Sequence, residues 1–262
     1  MMKAPFSALE VKPGVWHIMD EMGVCMTLLA GTRRALLVDT GYGTSDVAAF
    51  VSTLTDKPLQ VIITHAHHDH ALGARWFERT LMFPQDEQDF DIYTGDEFRR
   101  RVASQAQVKG VALPEDFLTA PIAMPEALEE GDIDLGGMTA QILHVPGHTP
   151  GSCVVYVPEH KLLLTADDWN PCTWLFFPAA LGVREYRDNL RALLKLPFEQ
   201  VLCSHQHKLH DRAIIDDFFA ALTDEALTSA KPVNVGYPQD TRQASLPHDQ
   251  ILVFDWNKFC KE

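Results

Sequence analysis

Val61-Ile62-Ile63-Thr64-His65-Ala66-His67-His68-Asp69-His70 is the stretch whose reading decides the fold. Val61 to Thr64 are all β-branched, and a short apolar run that ends at polar residues reads as a buried strand. Beyond it, Leu72, Trp76 and Phe77 recur at a helical period, which predicts a helix over 71–79. The polar cluster therefore falls on a strand-to-helix turn. His65 and His67 are two apart in an extended segment and can face one metal ion. Asp69 and His70, round the turn, can face a second. Imidazole nitrogens beside a carboxylate suit zinc, iron or manganese. The plain alternative is a histidine-rich surface loop. Four histidines and an aspartate within six residues, behind a buried strand, argue against it.

Upstream, short strands are predicted over 15–18, 24–30 and 35–38, with Gly31-Thr32 beginning a hairpin turn between the last two. The third ends at Asp39-Thr40-Gly41-Tyr42-Gly43, where Asp39 can be a turn residue. Ser45 is the expected cap of a helix running to residue 55, and Pro58 leads into a strand at 59–64. Downstream, 81–83 is a short strand. Residues 84–126 carry Pro84, Pro114, Pro121 and Pro125, an acidic stretch from Asp86 to Asp91 and one predicted helix over 96–108. The segment is too short to hold a core of its own. It reads as an insertion or lid on the main fold, or as a surface excursion.

Strands return after residue 127. One over 139–145 runs into Pro146-Gly147-His148-Thr149-Pro150-Gly151-Ser152, and another follows at 153–157. A strand at 161–165 delivers Asp167 and Asp168 to its end. Trp169, Trp174 and Phe176 lie in the apolar stretch 169–177, a candidate substrate-pocket wall whose alternative is ordinary core. A helix is predicted over 183–196. The strand at 200–203 ends at Ser204-His205-Gln206-His207, a helix runs over 211–227, and the tail holds one strand candidate at 251–254.

Composition limits the function classes. A hydrophobic content of 46% supports a sizeable core. No run approaches the ~18 apolar residues of a membrane span, so no membrane association is expected. The net charge of −14, with Arg99-Arg100-Arg101 the densest basic run, makes nucleic acid a poor partner. That run reads as the solvated face of a helix. Met1 to Glu10 hold no apolar leader, and five scattered cysteines fit reduced thiols, so a cytoplasmic setting is expected.

His-x-His-x-Asp-His at 65–70, the Pro146–Ser152 loop, Thr165-Ala166-Asp167 and Ser204-His205 together resemble, in order and spacing over residues 11–220, the signature of the metallo-β-lactamase superfamily. The pattern is most similar to its glyoxalase-II-type and lactonase-type branches, which use a bridging aspartate. The resemblance implies an α/β fold, a four-layer αββα sandwich forming one domain over 1–262. It implies one metal held by His65, His67 and His148, a second held by Asp69, His70 and His205, and Asp167 bridging both. It places Asp39 beside the site, where a carboxylate would orient a ligand. Ala166 stands where the family usually has glycine, and Asp168 is a competing carboxylate one residue from Asp167. His17, His68, His144, His160, His207, His210 and His248 read as non-ligands.

Two divalent ions, zinc with iron or manganese as alternatives, lower the pKa of a water and hold hydroxide at neutral pH. The implied reaction is attack on a small ester, thioester or lactone, with Asp69 as the catalytic proton carrier. The expected partner is a small-molecule substrate, with a homodimer left open. The rivals are a mononuclear iron oxidoreductase of the persulfide-dioxygenase type, a phosphodiesterase or nuclease, and a binding protein with a degenerate site. Net charge disfavours the nuclease, and the complete ligand set argues against the binding protein.

Overall fold

The computed structural model describes residues 4–261 and divides their strands among three sheets. Residues 1–3, at the head of the stretch read for a leader, and residue 262 lie outside the described residues. The first sheet follows chain order through β1 (Phe6–Lys12), β2 (Val15–Asp20), β3 (Cys25–Ala30), β4 (Ala35–Val38), β5 (Leu59–Ile62), β6 (Leu81–Met82) and β7 (Glu126–Ala127). Strands β1 to β4 pair antiparallel, and β4 to β7 pair parallel. The second sheet holds β8 (Gly131–Asp134), β9 (Thr139–His144), β10 (Cys153–Val157), β11 (Leu162–Ala166), β13 (Gln200–Cys203) and β14 (His210–Asp211). Its spatial order is β14-β13-β11-β10-β9-β8. A third sheet, β12-β17-β16-β15, joins β12 (Cys172–Leu175) to β15 (Lys231–Pro232), β16 (Thr241–Leu246) and β17 (Gln250–Asp255).

β4 shows why the sheets stack. All of its residues, Ala-Leu-Leu-Val, are buried, as expected of a strand covered on both faces. Leu36 and Val38 join Ile62, Ile142, Val155 and Leu202 in the core between the two large sheets. Ala35 and Leu37 face the other way and pack with Val47 and Val51 of α1 (Val47–Val51). On the outer face of the second sheet, Leu163 and Val201 meet Tyr186 and Leu190 of α5 (Val183–Leu193) and Phe218 of α6 (Arg212–Ala221). The layers are therefore helix, sheet, sheet, helix: the αββα sandwich.

Several local expectations need correction. Asp46, not Ser45, caps α1, accepting from Ala49 N at 2.9 Å, while Ser45 Oγ donates to Glu21. The helix after the histidines is one α-turn, α2 (His68–Ala71), followed by a 3-10 turn, Leu72–Trp76. The proline-rich segment holds two helices, α3 (Glu87–Tyr93) and α4 (Asp96–Lys109), not one. The helix predicted over 211–227 breaks at Leu222, and Thr223 caps α7 (Asp224–Thr228) through Ala226 N. Strand β1 was not foreseen. The tail contributes three strands and α8 (Trp256–Phe259) in place of a single strand. Arg99 is not on a solvated face: it is buried and donates to Thr94 O, Phe117 O and Ala120 O.

Candidate metal centre and its cavity

Strands β4, β5 and β11 deliver their last residues to one place. Past the end of β4, Asp39 sits at φ +68, in the left-handed region that aspartate tolerates better than most side chains. Its Oδ1 accepts from Thr64 N at 2.8 Å and Thr64 Oγ1 at 2.9 Å, and its Oδ2 faces His70 Nδ1 at 3.0 Å. Because the Thr64 hydroxyl donates to Asp39, His65 Nδ1, 3.1 Å from it, must donate in turn. His148 Nδ1 is 2.7 Å from Trp174 O, a carbonyl that can only accept. For His65, His70 and His148 alike, this network assigns a proton to Nδ1 and leaves Nε2 free of it.

Those free atoms converge. His65, His67 and His148 form one group of potential ligands, and Asp69, His70, Asp167 and His205 form a second, with the ligand atoms of each within 4.8 Å of one another. Asp167 Oδ2 lies 3.0 Å from His205 Nε2, 3.6 Å from His70 Nε2 and 3.7 Å from His148 Nε2, so it stands between the two groups. Asp69 Oδ2 is 3.6 Å from His70 Nε2 and 3.7 Å from His205 Nε2. His67 Nδ1 and His148 Nε2 approach to 2.9 Å.

Burial, and then the neighbouring imidazoles, push His65 and His67 well below their ordinary range; burial lowers His148 as well. These rings are neutral. Burial also opposes charge on His70, but Asp69, Asp39 and Asp167 outweigh it and hold it well above. Burial resists ionisation of Asp167 too, yet His205 and His70 keep that carboxyl well below its usual range. His65 Nε2, His70 Nε2 and Asp167 Oδ1 are buried without a hydrogen-bond partner, an omission that costs about 1–3 kcal/mol per neutral group. Neutral imidazole lone pairs beside ionised carboxylates are the donor set of a divalent cation. The residues fit such an ion.

The two adjacent aspartates face apart. Asp167 enters the cluster, whereas Asp168 turns into the protein, where its Oδ1 accepts from His148 N at 3.1 Å. Ala166 sits at φ +47, which explains why glycine suits this position; an alanine there costs roughly 1–2 kcal/mol. Asp86, read from the sequence only as part of an acidic stretch, is completely buried. It accepts from Ala66 N at 3.1 Å, Thr149 Oγ1 at 2.6 Å and Gly151 N at 2.6 Å, tying together the loops that carry His65, His67 and His148. A Cβ on Gly151 would meet Asp86 Cγ at 2.6 Å, so that glycine permits the contact.

A cavity of about 390 Å³ opens over the cluster, bordered by His67, Asp69, His148, Asp167 and His205. Trp174 lines it, as read from the sequence. Trp169 and Phe176 do not: both are fully buried in the core against the outer face of the second sheet. Their places in the wall go to Phe177, Tyr42, Tyr93 and Tyr237. His68, outside both groups of potential ligands, also borders the cavity, with its ring 5.6 Å from Tyr42. No helix among the described residues is long and apolar enough to cross a membrane.

The chain is similar to known proteins. The chain is 26% identical over 200 residues to the acyl-coenzyme A thioesterase MBLAC2 of Gallus gallus, a match spanning 68% of this chain and 70% of that protein. It is 28% identical over 165 residues to a hydroxyacylglutathione hydrolase of Cereibacter sphaeroides, spanning 62% of this chain and 52% of that one. The solved metallo-beta-lactamase from Pontibacter korlensis has the same fold, with a TM-score of 0.60 at 15% identity over 82% of this chain and 97% of that one. Residues 20–205, which contain both ligand groups, match the model of the metallo-beta-lactamase superfamily. The chain belongs to the metallo-beta-lactamase superfamily, and it is a metal-dependent hydrolase of that fold.

Proposed function

We propose that this hydrolase works with two divalent ions, zinc or in its place iron or manganese, and cleaves a small ester, thioester or lactone. The observation that carries the reading is Asp167 Oδ2, within 3.7 Å of His148 in one ligand group and of His70 and His205 in the other. One carboxylate so placed is suited to serve two ions at once. Bound divalent ions supply Lewis acidity toward a carbonyl oxygen and a water acidic enough to ionise near neutral pH.

The protein's own residues do the rest. Hydrogen bonds hold His65 and His148 in one tautomer, and burial keeps His65, His67 and His148 neutral, ready as ligands. Asp69 borders the cavity, and His70, His68 and His205 outweigh burial to keep it ionised. Its Oδ2 can take a proton from the attacking water and return it to the leaving group. The relative from Gallus gallus is named a thioesterase, which supports placing a thioester first among the substrates. Five free thiols support a reducing, cytoplasmic setting.

The test is elemental analysis of freshly purified protein, with turnover measured on thioesters, lactones and phosphodiesters. We expect about two metals per chain, with thioester or lactone cleavage lost on chelation and restored by zinc. A single iron, with oxygen consumed on a persulfide, would replace this reading with a dioxygenase.

A further inference from the structure

Beyond the metal cluster the cavity walls are aromatic. Tyr42, Tyr93, Trp174, Phe177 and Tyr237 line it, and among the described residues no lysine or arginine does. Among the described residues its only carboxylates, Asp69 and Asp167, belong to the two groups of potential ligands. Arg101 is close enough to act electrostatically on Tyr237 and His68, but it is paired with Glu97 and lies against the Phe98 ring.

One wall comes from outside the family match, which ends at residue 205. Tyr237 lies between β15 and β16. Its ring is 5.5 Å from Phe177, at 88°, and 5.2 Å from Phe176. Phe177 in turn lies 4.4 Å from His67 and 5.3 Å from His148. An aromatic path thus leads from the metal-facing histidines to the C-terminal segment. Trp174 belongs to the same construction, because β12 is held in register by β17, with Trp174 opposite Val253.

We infer that this wall selects an uncharged apolar acyl group, and that Tyr237 is a specificity-determining residue that limits its length. The inference rests on the hydrolase reading and goes on to name the substrate class. Apolar atoms entering the cavity leave water for aromatic surface. An anionic group at the far end of the acyl chain, away from the metal-facing residues, would lose its hydration with no lysine or arginine to meet it, which should cost about 100-fold in affinity.

Calorimetry on the zinc-loaded full chain tests this with two amides that the enzyme need not cleave, hexananilide and 6-sulfohexananilide. The sulfonate is a weak zinc ligand, so its charge is read and not its coordination. Hexananilide should bind about 100-fold more tightly. Tyr237→Ala should shift the preference between hexananilide and dodecananilide about tenfold toward the longer chain with zinc content unchanged, while Tyr237→Phe keeps the ring and the wild-type preference. Equal or tighter binding of the sulfonate, no binding of either amide, or a Tyr237→Ala variant with wild-type chain-length preference would overturn the inference. Amide binding as expected, with no cleavage of the matching phenyl and thiophenyl hexanoates, would instead sink the hydrolase reading and leave the selectivity standing.

Discussion

Asp167 and Asp168 are adjacent in the chain and do unlike work. Asp167 meets imidazoles from both ligand groups. Asp168 is fully buried, holds the backbone of His148, and is pushed by burial well above the ordinary carboxyl range. Asparagine resembles a protonated carboxyl in size and still offers Oδ1 to His148 N. Asp168→Asn should therefore keep its metal and most of its turnover. In the proposed two-ion site, Asp167→Asn should keep about one metal and lose turnover by more than the ~10–100-fold of a supporting group, because it would remove a charge and a ligand oxygen from between the two cations. Metal stoichiometry and turnover of both variants decide the matter, and the reverse ranking would show the register to be off by one residue. The two groups of candidate ligands were legible in the sequence because each member sits in a short motif at a strand end. Asp86 was not, because its partners Ala66, Thr149 and Gly151 lie 20, 63 and 65 residues away, and no local pattern marks such a contact.

At the scale of elements, strands read better than helices. Most strands of the two large sheets are short, mainly apolar runs between turn residues, and these are legible within a residue or two; β1, β7, β8 and β14, polar or only two residues long, are not. The short helices depend on side chains that periodicity does not see: the Asp46 cap, the break at Leu222, the tight turn after His70. The third sheet was illegible for a different reason. β12 lies inside the apolar stretch taken for a pocket wall, and only its pairing with the distant β17 makes it a strand. α8 holds the loop next to it: Lys258 Nζ donates to Phe177 O at 3.1 Å, Pro178 O at 2.9 Å and Ala180 O at 2.5 Å. Lys258→Met keeps the aliphatic stem and removes the ammonium from all three carbonyls, of which Phe177 O still accepts from Ala180 N. We expect a loss of about 2 kcal/mol in stability. KM should rise several-fold while kcat and metal content stay near wild type, since Phe177 lines the cavity but is not a ligand. Thermal unfolding and steady-state kinetics measure both. A fall in metal content with KM unchanged would place the role of Lys258 elsewhere.

At the scale of the molecule, the site lies where two sheets and the 84–126 segment meet, and Asp86 joins all three. Ala66 belongs to the loop leaving the first sheet, Thr149 and Gly151 to the loop between β9 and β10 of the second, and Asp86 itself to the segment between β6 and β7. That segment is tied down along its length: Phe90, Val102, Ala106 and Phe117 are buried, and Tyr93 and Gln105 border the cavity. Truncating Asp86 should therefore damage more than a surface excursion would. Asp86→Ala leaves two backbone N–H groups and a hydroxyl without their acceptor in a buried place, at about 1–3 kcal/mol each. It also frees the two loops that bring His67 and His148 within 2.9 Å of each other. We expect a loss of more than 3 kcal/mol in stability and metal binding weakened by about 10–100-fold. Asp86→Asn should fall between this and wild type. One of its two positions must now present an NH2 group to an N–H or a hydroxyl, so one contact fails where alanine loses all of them. Chemical unfolding of the metal-free chain separates the stability loss from metal affinity, which is measured by competition with a chromogenic chelator. If Asp86→Ala unfolds early yet binds metal as wild type does, Asp86 holds the 84–126 segment in place without positioning the ligands. If neither quantity moves, the joint between the two sheets lies elsewhere.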